Sequence, residues 1–136
     1  MAACLYIVVE GEDPGFDIFV NGQYMARNED ALERLAENLK VRPLLDFFSA
    51  DENSMALLLE QGAGNLSWVG SLPEPQWSNA ADGLVTVCAL IAFLDAYPTA
   101  LGSETQHVLA ELGEYERVLQ KTDKRGLSWH LAVSWR

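Results

Sequence analysis

A run of hydrophobic positions at residues 83–94, GLVTVCALIAFL, is interrupted only by Thr86. A membrane-spanning helix needs about 20 apolar residues and a strand usually has about four to eight, so this length favours a buried helix. Ser78 or Asn79 can cap the first turn, and Pro98 disfavours helical geometry at the residue before it. We therefore predict a helix over residues 79–96. Because it is apolar on nearly all sides, we expect the other elements to enclose it.

The first part of the chain carries strand patterns. Residues 3–9 are β-branched or aromatic on both faces, which predicts a central strand covered on two sides. Asn21 and Gly22 separate two apolar runs and both tolerate positive φ, which is a strong hairpin signal. It predicts strands at about 16–20 and 23–26. The alternative is one strand followed by a helix over the second run.

Helical patterns follow in the middle and toward the end of the chain. Apolar residues spaced three and four apart predict amphipathic helices at 29–40 and 52–61. A last helix is predicted at 104–124, because its glutamates come early and its basic residues come at the end, which complements the helix dipole. Residues 127–135 alternate strictly between two faces, which predicts a half-buried strand.

These elements predict a single α+β domain over residues 1–136. We expect a small, mainly antiparallel sheet made of the N-terminal strand, the hairpin and the C-terminal strand. About four helices would pack around the buried helix near 79–96. The first strand is expected in the centre of the sheet, beside the C-terminal strand.

Charge adds the strongest compositional signal. The chain carries 20 acidic and 9 basic residues, which gives a formal net charge of −11. Residues 1–60 hold 12 of the acidic and 4 of the basic residues, so the excess is concentrated there. Nucleic acids and anionic membranes should repel such a chain, whereas a basic protein partner should be attracted. The simpler interpretation is that acidity only keeps the protein soluble.

The cysteines and the N-terminus bear on the cellular compartment. Cys4 and Cys88 lie among apolar residues, which indicates reduced core cysteines rather than a disulfide or a nucleophile. Residues 1–9 lack the basic start and the cleavage pattern of a signal peptide. We therefore expect a cytoplasmic protein.

The sequence lacks the standard catalytic signatures: it has no P-loop, GxGxxG, GxSxG, HExxH or CxxC. One constellation can be placed on the last helix, where Glu104, His107 and Glu111 share a face with Glu114. Such a face can bind a divalent metal when a second helix adds ligands, although a solvated acidic face is the plainer interpretation. No other cofactor is predicted. His130, on the final strand, is expected to be a packed or hydrogen-bonded residue.

Two tryptophans mark the long connection at residues 62–77, which also holds three glycines and two prolines. Trp68 and Trp77 could stack on a ligand or anchor a partner, because tryptophan is enriched at binding hot spots. The alternative is that they cover the buried helix.

Three aspartates flank apolar segments and are candidates for a buried carboxylate of the kind a general acid requires. Helix ends explain Asp82 and Asp95. Asp46 lies in a short apolar segment of uncertain type, residues 44–49, where it is either a capping or loop residue or a site residue. It has no evident catalytic partner, so the sequence leaves open whether the protein is an enzyme.

Four stretches, GFDIFVNG, RPLLDFFS, WSNAADGLVTV and EYERVLQKTDKRG, have a spacing that resembles small uncharacterised bacterial proteins over nearly the whole chain. The resemblance implies a free-standing bacterial protein. It carries no activity and no catalytic residue.

Three hypotheses of function follow. The leading one is an acidic, non-enzymatic interaction module that binds a basic protein partner, as immunity or inhibitor proteins do. The alternative is a small-molecule or metal-binding protein, which includes the case of an enzyme, with a site near the last helix or the 62–77 connection. The third is a homo-oligomer in which a strand edge or the tryptophans pair with another copy.

Overall fold

The computed structural model of the protein describes residues 3–11, 14–49 and 76–135. They form an α+β fold, as predicted, and the predicted helix at 52–61 lies outside the described residues. The elements, in chain order, are strand β1 (Ala3–Val9), helix α1 (Gln23–Arg27), helix α2 (Glu29–Leu39), a 3-10 turn (Leu44–Phe47), strand β2 (Ser78–Asn79), helix α3 (Ala80–Ala96), a 3-10 turn (Gly102–Glu104), helix α4 (Thr105–Lys124) and strand β3 (Ser128–Trp135).

Helix α3 begins and ends where the sequence predicts. The side chain of Asn79 accepts a hydrogen bond from the amide of Ala81 at 2.7 Å, which satisfies one of the free amides of the first turn. The one polar residue of its apolar run, Thr86, is buried and donates its hydroxyl to the carbonyl oxygen of Arg42 at 2.6 Å. This hydrogen bond links α3 to the segment that follows α2.

Other elements cover α3, as predicted, but one side of the helix stays exposed. Val87, Leu90 and Leu94 are fully buried, whereas Val85 is 61% exposed. Cys88 lies on the exposed side as well, so its predicted place in the core is wrong. Burial raises the pKa of its thiol, and the carboxylate of Glu116, which accepts a hydrogen bond from Sγ at 3.3 Å, raises it further. A thiol held protonated in this way is a poor nucleophile.

The sheet has the strand order β1-β3-β2, and all its pairs are antiparallel. The pairing of β1 with β3 is confirmed, with Ala3 opposite Trp135 and Val9 opposite Trp129. The central position predicted for β1 is wrong, because β3 is the strand with neighbours on both sides. Beside β2, residue Phe48 adds a parallel bridge to Leu131 of β3.

Residues 129–132 of β3 are buried on both faces of the sheet, so the prediction of a half-buried strand is wrong there. Trp129 packs toward α3, with its Nε1 donating to the carbonyl oxygen of Asn79 at 3.1 Å. A Cβ added to Gly83 would lie 2.4 Å from the Trp129 ring, so the glycine allows this close approach. On the other face His130 and Ala132 are buried too.

The predicted hairpin at 16–20 and 23–26 is wrong. Of the alternative, the helix over the second run is confirmed by α1, which begins at Gln23, but residues 16–20 form no strand. Gly22 does adopt positive φ, at 71°, but it stands at the start of a helix. A Cβ at Gly22 would lie 1.9 Å from the carbonyl oxygen of Leu5, so the chain crosses β1 too closely for any side chain. The Asn-Gly signal therefore marks a glycine requirement, which a helix start against a strand satisfies as well as a hairpin does.

Candidate functional site

The polar face that the sequence places on the last helix lies against α1. The guanidinium of Arg27 forms a salt bridge with the carboxylate of Glu104 at 3.2 Å. The ring of His107 stacks on the ring of Tyr24, with centroids 4.3 Å apart and planes inclined by 10°. Arg27, at the end of α1, thus contacts Glu104 in the turn before α4. Tyr24, near the start of α1, contacts His107 in the first turn of α4.

Two glutamates of α4 accept hydrogen bonds from the free backbone amides at the start of α1. The carboxylate of Glu111 accepts from the amide of Met25 at 2.8 Å and from the amide of Tyr24 at 3.2 Å. Glu114 accepts from the amide of Asn21 at 2.7 Å. The first amides of a helix have no partner within it, and here the residue before α1 is a glycine without a capping side chain. Glu111 therefore caps α1 from another helix.

Glu111 is the one buried carboxylate of the described residues, with only 3% exposure. Burial raises the pKa of its carboxyl above the ordinary value of 4.5, and the charge of Glu114 raises it further. The hydrogen bonds from the amides of Met25, Tyr24 and Gln23 favour the charged form and oppose this shift. Both carboxylate oxygens are thus engaged by backbone amides, as suits a structural cap.

In the ranges 3–11, 14–49 and 76–135, no group of three or more His, Cys, Asp and Glu side chains is placed to hold a metal ion. Glu104, His107 and Glu111 each contact α1 instead of one another: Glu104 through the guanidinium of Arg27, His107 through the ring of Tyr24, and Glu111 through the amide of Met25. The metal hypothesis stays a prediction, and these contacts do not support it.

The tryptophan prediction can be followed only in part, because Trp68 lies outside the described residues. Trp77 is 40% exposed, and its ring lies 4.9 Å from the ring of His130. His130 is buried, with Nδ1 2.9 Å from the carbonyl oxygen of Leu131, as expected for a packed residue. Trp77 thus covers one face of β3 while it presents part of its ring to solvent.

The three aspartates considered as buried carboxylates, Asp46, Asp82 and Asp95, are all exposed. Asp46 lies in the first 3-10 turn, where its amide donates to the carbonyl oxygen of Pro43 at 3.0 Å. Its own carbonyl oxygen accepts from the guanidinium of Arg42 at 3.0 Å. These backbone contacts favour the loop role of Asp46. Among the described residues the buried carboxylate is instead Glu111, which sequence reasoning placed on a metal-binding face.

Helix α2 carries a concentration of negative charge, with Glu29, Asp30, Glu33 and Glu37 in eleven residues. Burial raises the pKa of the Glu29 carboxyl, and the charges of Asp30 and Glu33 raise it further. The like charges are therefore close enough to repel one another. A cation brought to this surface would relieve that repulsion.

None of the described helices is long and apolar enough to cross a membrane. Comparisons with protein-family models, with curated proteins and with solved structures found no match to this chain. The resemblance to small bacterial proteins therefore stays a prediction.

Proposed function

We propose that the protein is an acidic, non-enzymatic interaction module that binds a basic protein partner. The observation that carries the proposal is how little of the negative charge is neutralised inside the fold. The chain has a net charge of −11, and within the described ranges the one salt bridge joins Arg27 to Glu104. Such an excess produces a field that speeds association with a positive surface.

The surface best suited to a basic partner is α2. Its acidic residues include Asp30 and Glu37, which are exposed, and Glu29 and Glu33, which are half-buried beside them. Arg34 is the one basic residue within this helix, and its guanidinium Nε donates to the backbone carbonyl oxygen of Asp30 at 3.4 Å. The acidic side chains of α2 are therefore presented with little internal compensation.

The alternative of a small-molecule, metal or catalytic site near the last helix gains no support from the contacts of α4. Its polar face is occupied by α1, and Glu111 is held by backbone amides. A cytoplasmic location is part of the proposal, supported by the exposed, reduced thiol of Cys88, which suits a reducing compartment.

The test is capture of the partner with the full-length protein, followed by association kinetics against salt. We expect a basic protein that is retained at about 50 mM salt and released at about 500 mM, because screening shortens the range of the attraction. Capture of only acidic or neutral proteins, or an association rate constant that does not change with salt, would contradict the proposal.

A matched pair of variants assigns the attraction to α2. Asp30→Asn with Glu37→Gln removes two exposed charges from α2, and Asp95→Asn with Asp123→Asn removes two exposed charges elsewhere. At low salt we expect the first pair to lower the association rate constant by roughly 3- to 10-fold, and the second pair to lower it less. Equal effects of the two pairs would refute the assignment to α2.

A further inference from the structure

Three basic side chains lie together at the end of α4. Lys121, Lys124 and Arg125 are all exposed, and they line an open cavity of about 460 Å³ with Gly15 and Phe16. This volume is within the range of pockets that hold small molecules. No acidic residue is among the described lining residues, so the cavity is positively charged although the chain has a net charge of −11.

The charged groups of this cluster have no partner of opposite charge in the described residues. The backbone amides of residues 125–127 donate to the carbonyl oxygens of residues 121–123 at 3.0 to 3.2 Å, so the end of α4 is capped without the basic side chains. Within the described ranges, no carboxylate forms a salt bridge with Lys121, Lys124 or Arg125, and no carbonyl oxygen accepts from their side chains. These three cations are therefore available to a ligand.

Arg125 is positioned by the segment that precedes α1. Its guanidinium carbon lies 5.5 Å from the centroid of the Phe16 ring, within reach of a cation–π contact. Gly15 has a positive φ of 83°, and a Cβ there would lie 2.8 Å from Nη1 of Arg125. The glycine therefore lets the guanidinium lie against the backbone. A guanidinium that is already positioned loses less side-chain entropy when it binds an anion.

The charges around the cavity indicate a compact anion of high charge. Three cations within five residues suit a ligand with several negative charges, and the planar guanidinium fits two oxygens of a phosphate. Asp123, which lies in the same turn, is exposed and does not line the cavity. A nucleic acid would extend past the cluster and be repelled by the acidic remainder of the chain. A small molecule avoids that repulsion, because screening limits it to about 8 Å at physiological salt.

We propose that this cavity binds a small molecule with a diphosphate group, either inorganic pyrophosphate or an organic ester of it. The guanidinium of Arg125 would donate to two oxygens of one phosphate, and the ammonium groups of Lys121 and Lys124 would neutralise the rest of the charge. The site is separate from the acidic residues of α2 and attracts the opposite charge, so the proposal stands independently of the function proposed above.

The experiment titrates the full-length, isotope-labelled protein with pyrophosphate and follows the binding by NMR, in a low-salt buffer without divalent metal. We expect the amide signals of residues 121–125 and the side-chain Nε signal of Arg125 to shift with one dissociation constant, below about 1 mM. Sulfate at equal ionic strength should bind at least about tenfold more weakly, because it carries less charge. ADP that binds more tightly than pyrophosphate would identify an organic ester as the ligand, and ADP that binds more weakly would identify the inorganic ion.

Two charge-matched pairs of variants locate the site. Lys121→Gln with Lys124→Gln removes two exposed cations from the cavity, and Arg34→Gln with Lys40→Gln removes two exposed cations elsewhere. We expect the first pair to raise the dissociation constant of pyrophosphate by at least about tenfold and the second pair by less than about twofold. Arg125→Lys keeps the charge but loses the planar fork, so it should raise the constant by about threefold. Circular dichroism checks that each variant is folded.

Three results would overturn the proposal. The first is unchanged signals of residues 121–125 with millimolar pyrophosphate. The second is an equal loss of affinity in the two charge-matched pairs, because the anion would then respond only to the overall charge of the chain. The third is a shift of the same signals that grows with protein concentration in the absence of pyrophosphate and is lost in Asp30→Asn with Glu37→Gln. The occupant would then be the acidic α2 of a second copy.

Discussion

Helix α3 is almost wholly apolar and helix α4 is rich in charge, yet Val85 of α3 is 61% exposed and Glu111 of α4 is 3% exposed. The two helices pack along each other, so the difference lies in what their other faces meet. Glu111 is covered because α1 presents amides that need an acceptor. Val85 stays in solvent because exposing one apolar side chain costs little free energy of folding when no neighbouring element packs on it. Hydrogen-bonding need can therefore bury a carboxylate while an apolar residue remains exposed.

The largest effect is expected within α3 itself. Leu90→Ala should lower the free energy of unfolding by about 3 kcal/mol, because it leaves a cavity at a fully buried position. Val85→Ala should change it by less than about 0.5 kcal/mol, since that side chain already lies in solvent. Urea unfolding measures both. Similar losses in the two variants would show that the exposed side of α3 is covered in solution.

The second effect concerns the cap on α1. Glu111→Ala should cost about 2–3 kcal/mol, because it leaves the amides of Tyr24 and Met25 without an acceptor. Glu111→Gln keeps one acceptor oxygen and should cost about 1 kcal/mol. Urea unfolding at neutral pH gives the order of the two variants. A loss in the Ala variant no greater than in the Gln variant would argue against the capping role.

Replacing glycine by alanine should change the stability in opposite directions at two helical positions. Gly83→Ala in α3 should destabilise by about 1–2 kcal/mol, because the new Cβ would lie 2.4 Å from the Trp129 ring. Gly113→Ala in α4, where a Cβ meets nothing within 4 Å, should stabilise by up to about 1 kcal/mol. Thermal unfolding distinguishes them. Stabilisation by both substitutions would mean that Trp129 does not pack on Gly83.

The smallest effect is a pH dependence of stability. The pKa of Glu111 is raised in the folded protein, so the folded state holds this proton after the unfolded chain has lost it. The part of the stability that depends on this proton is complete below the ordinary pKa of 4.5 and is lost as the pH rises through the folded pKa, whereas the hydrogen bonds from the amides remain. The free energy of unfolding should therefore fall with pH relative to that of Glu111→Gln across this window. A difference that stays constant or grows would contradict the raised pKa.

Local signals in the sequence were sufficient for α3. The cap at Asn79, the proline after its end and the length of the apolar run together placed its boundaries to within one residue. They did not reveal which side would be covered, because the covering elements are distant in sequence. The position of β3 in the sheet was missed for the same reason, since its second neighbour is set by the chain around Phe48 and Ser78.

The cap on α1 could not be inferred from local pattern. Glu111 and Met25 are separated by 86 residues, and capping motifs are recognised within a few residues of a helix start. The sequence did place Glu104, His107, Glu111 and Glu114 on one face. Only the arrangement of α1 in space shows what that face contacts. An isolated glycine before an uncapped helix is the one local sign that an acceptor must come from elsewhere.

The most direct test of Glu111 as the cap of α1 is an NMR titration of the full-length protein that follows its side-chain carboxyl carbon and the amide of Met25 together. We expect both signals to change with the same midpoint, and that midpoint to lie above 4.5, because burial raises the pKa and the amide donates to the titrating group. A Met25 amide that does not follow the carboxyl carbon would show that Glu111 does not hold α1 in this way, and a midpoint at or below 4.5 would contradict the rise in pKa caused by burial.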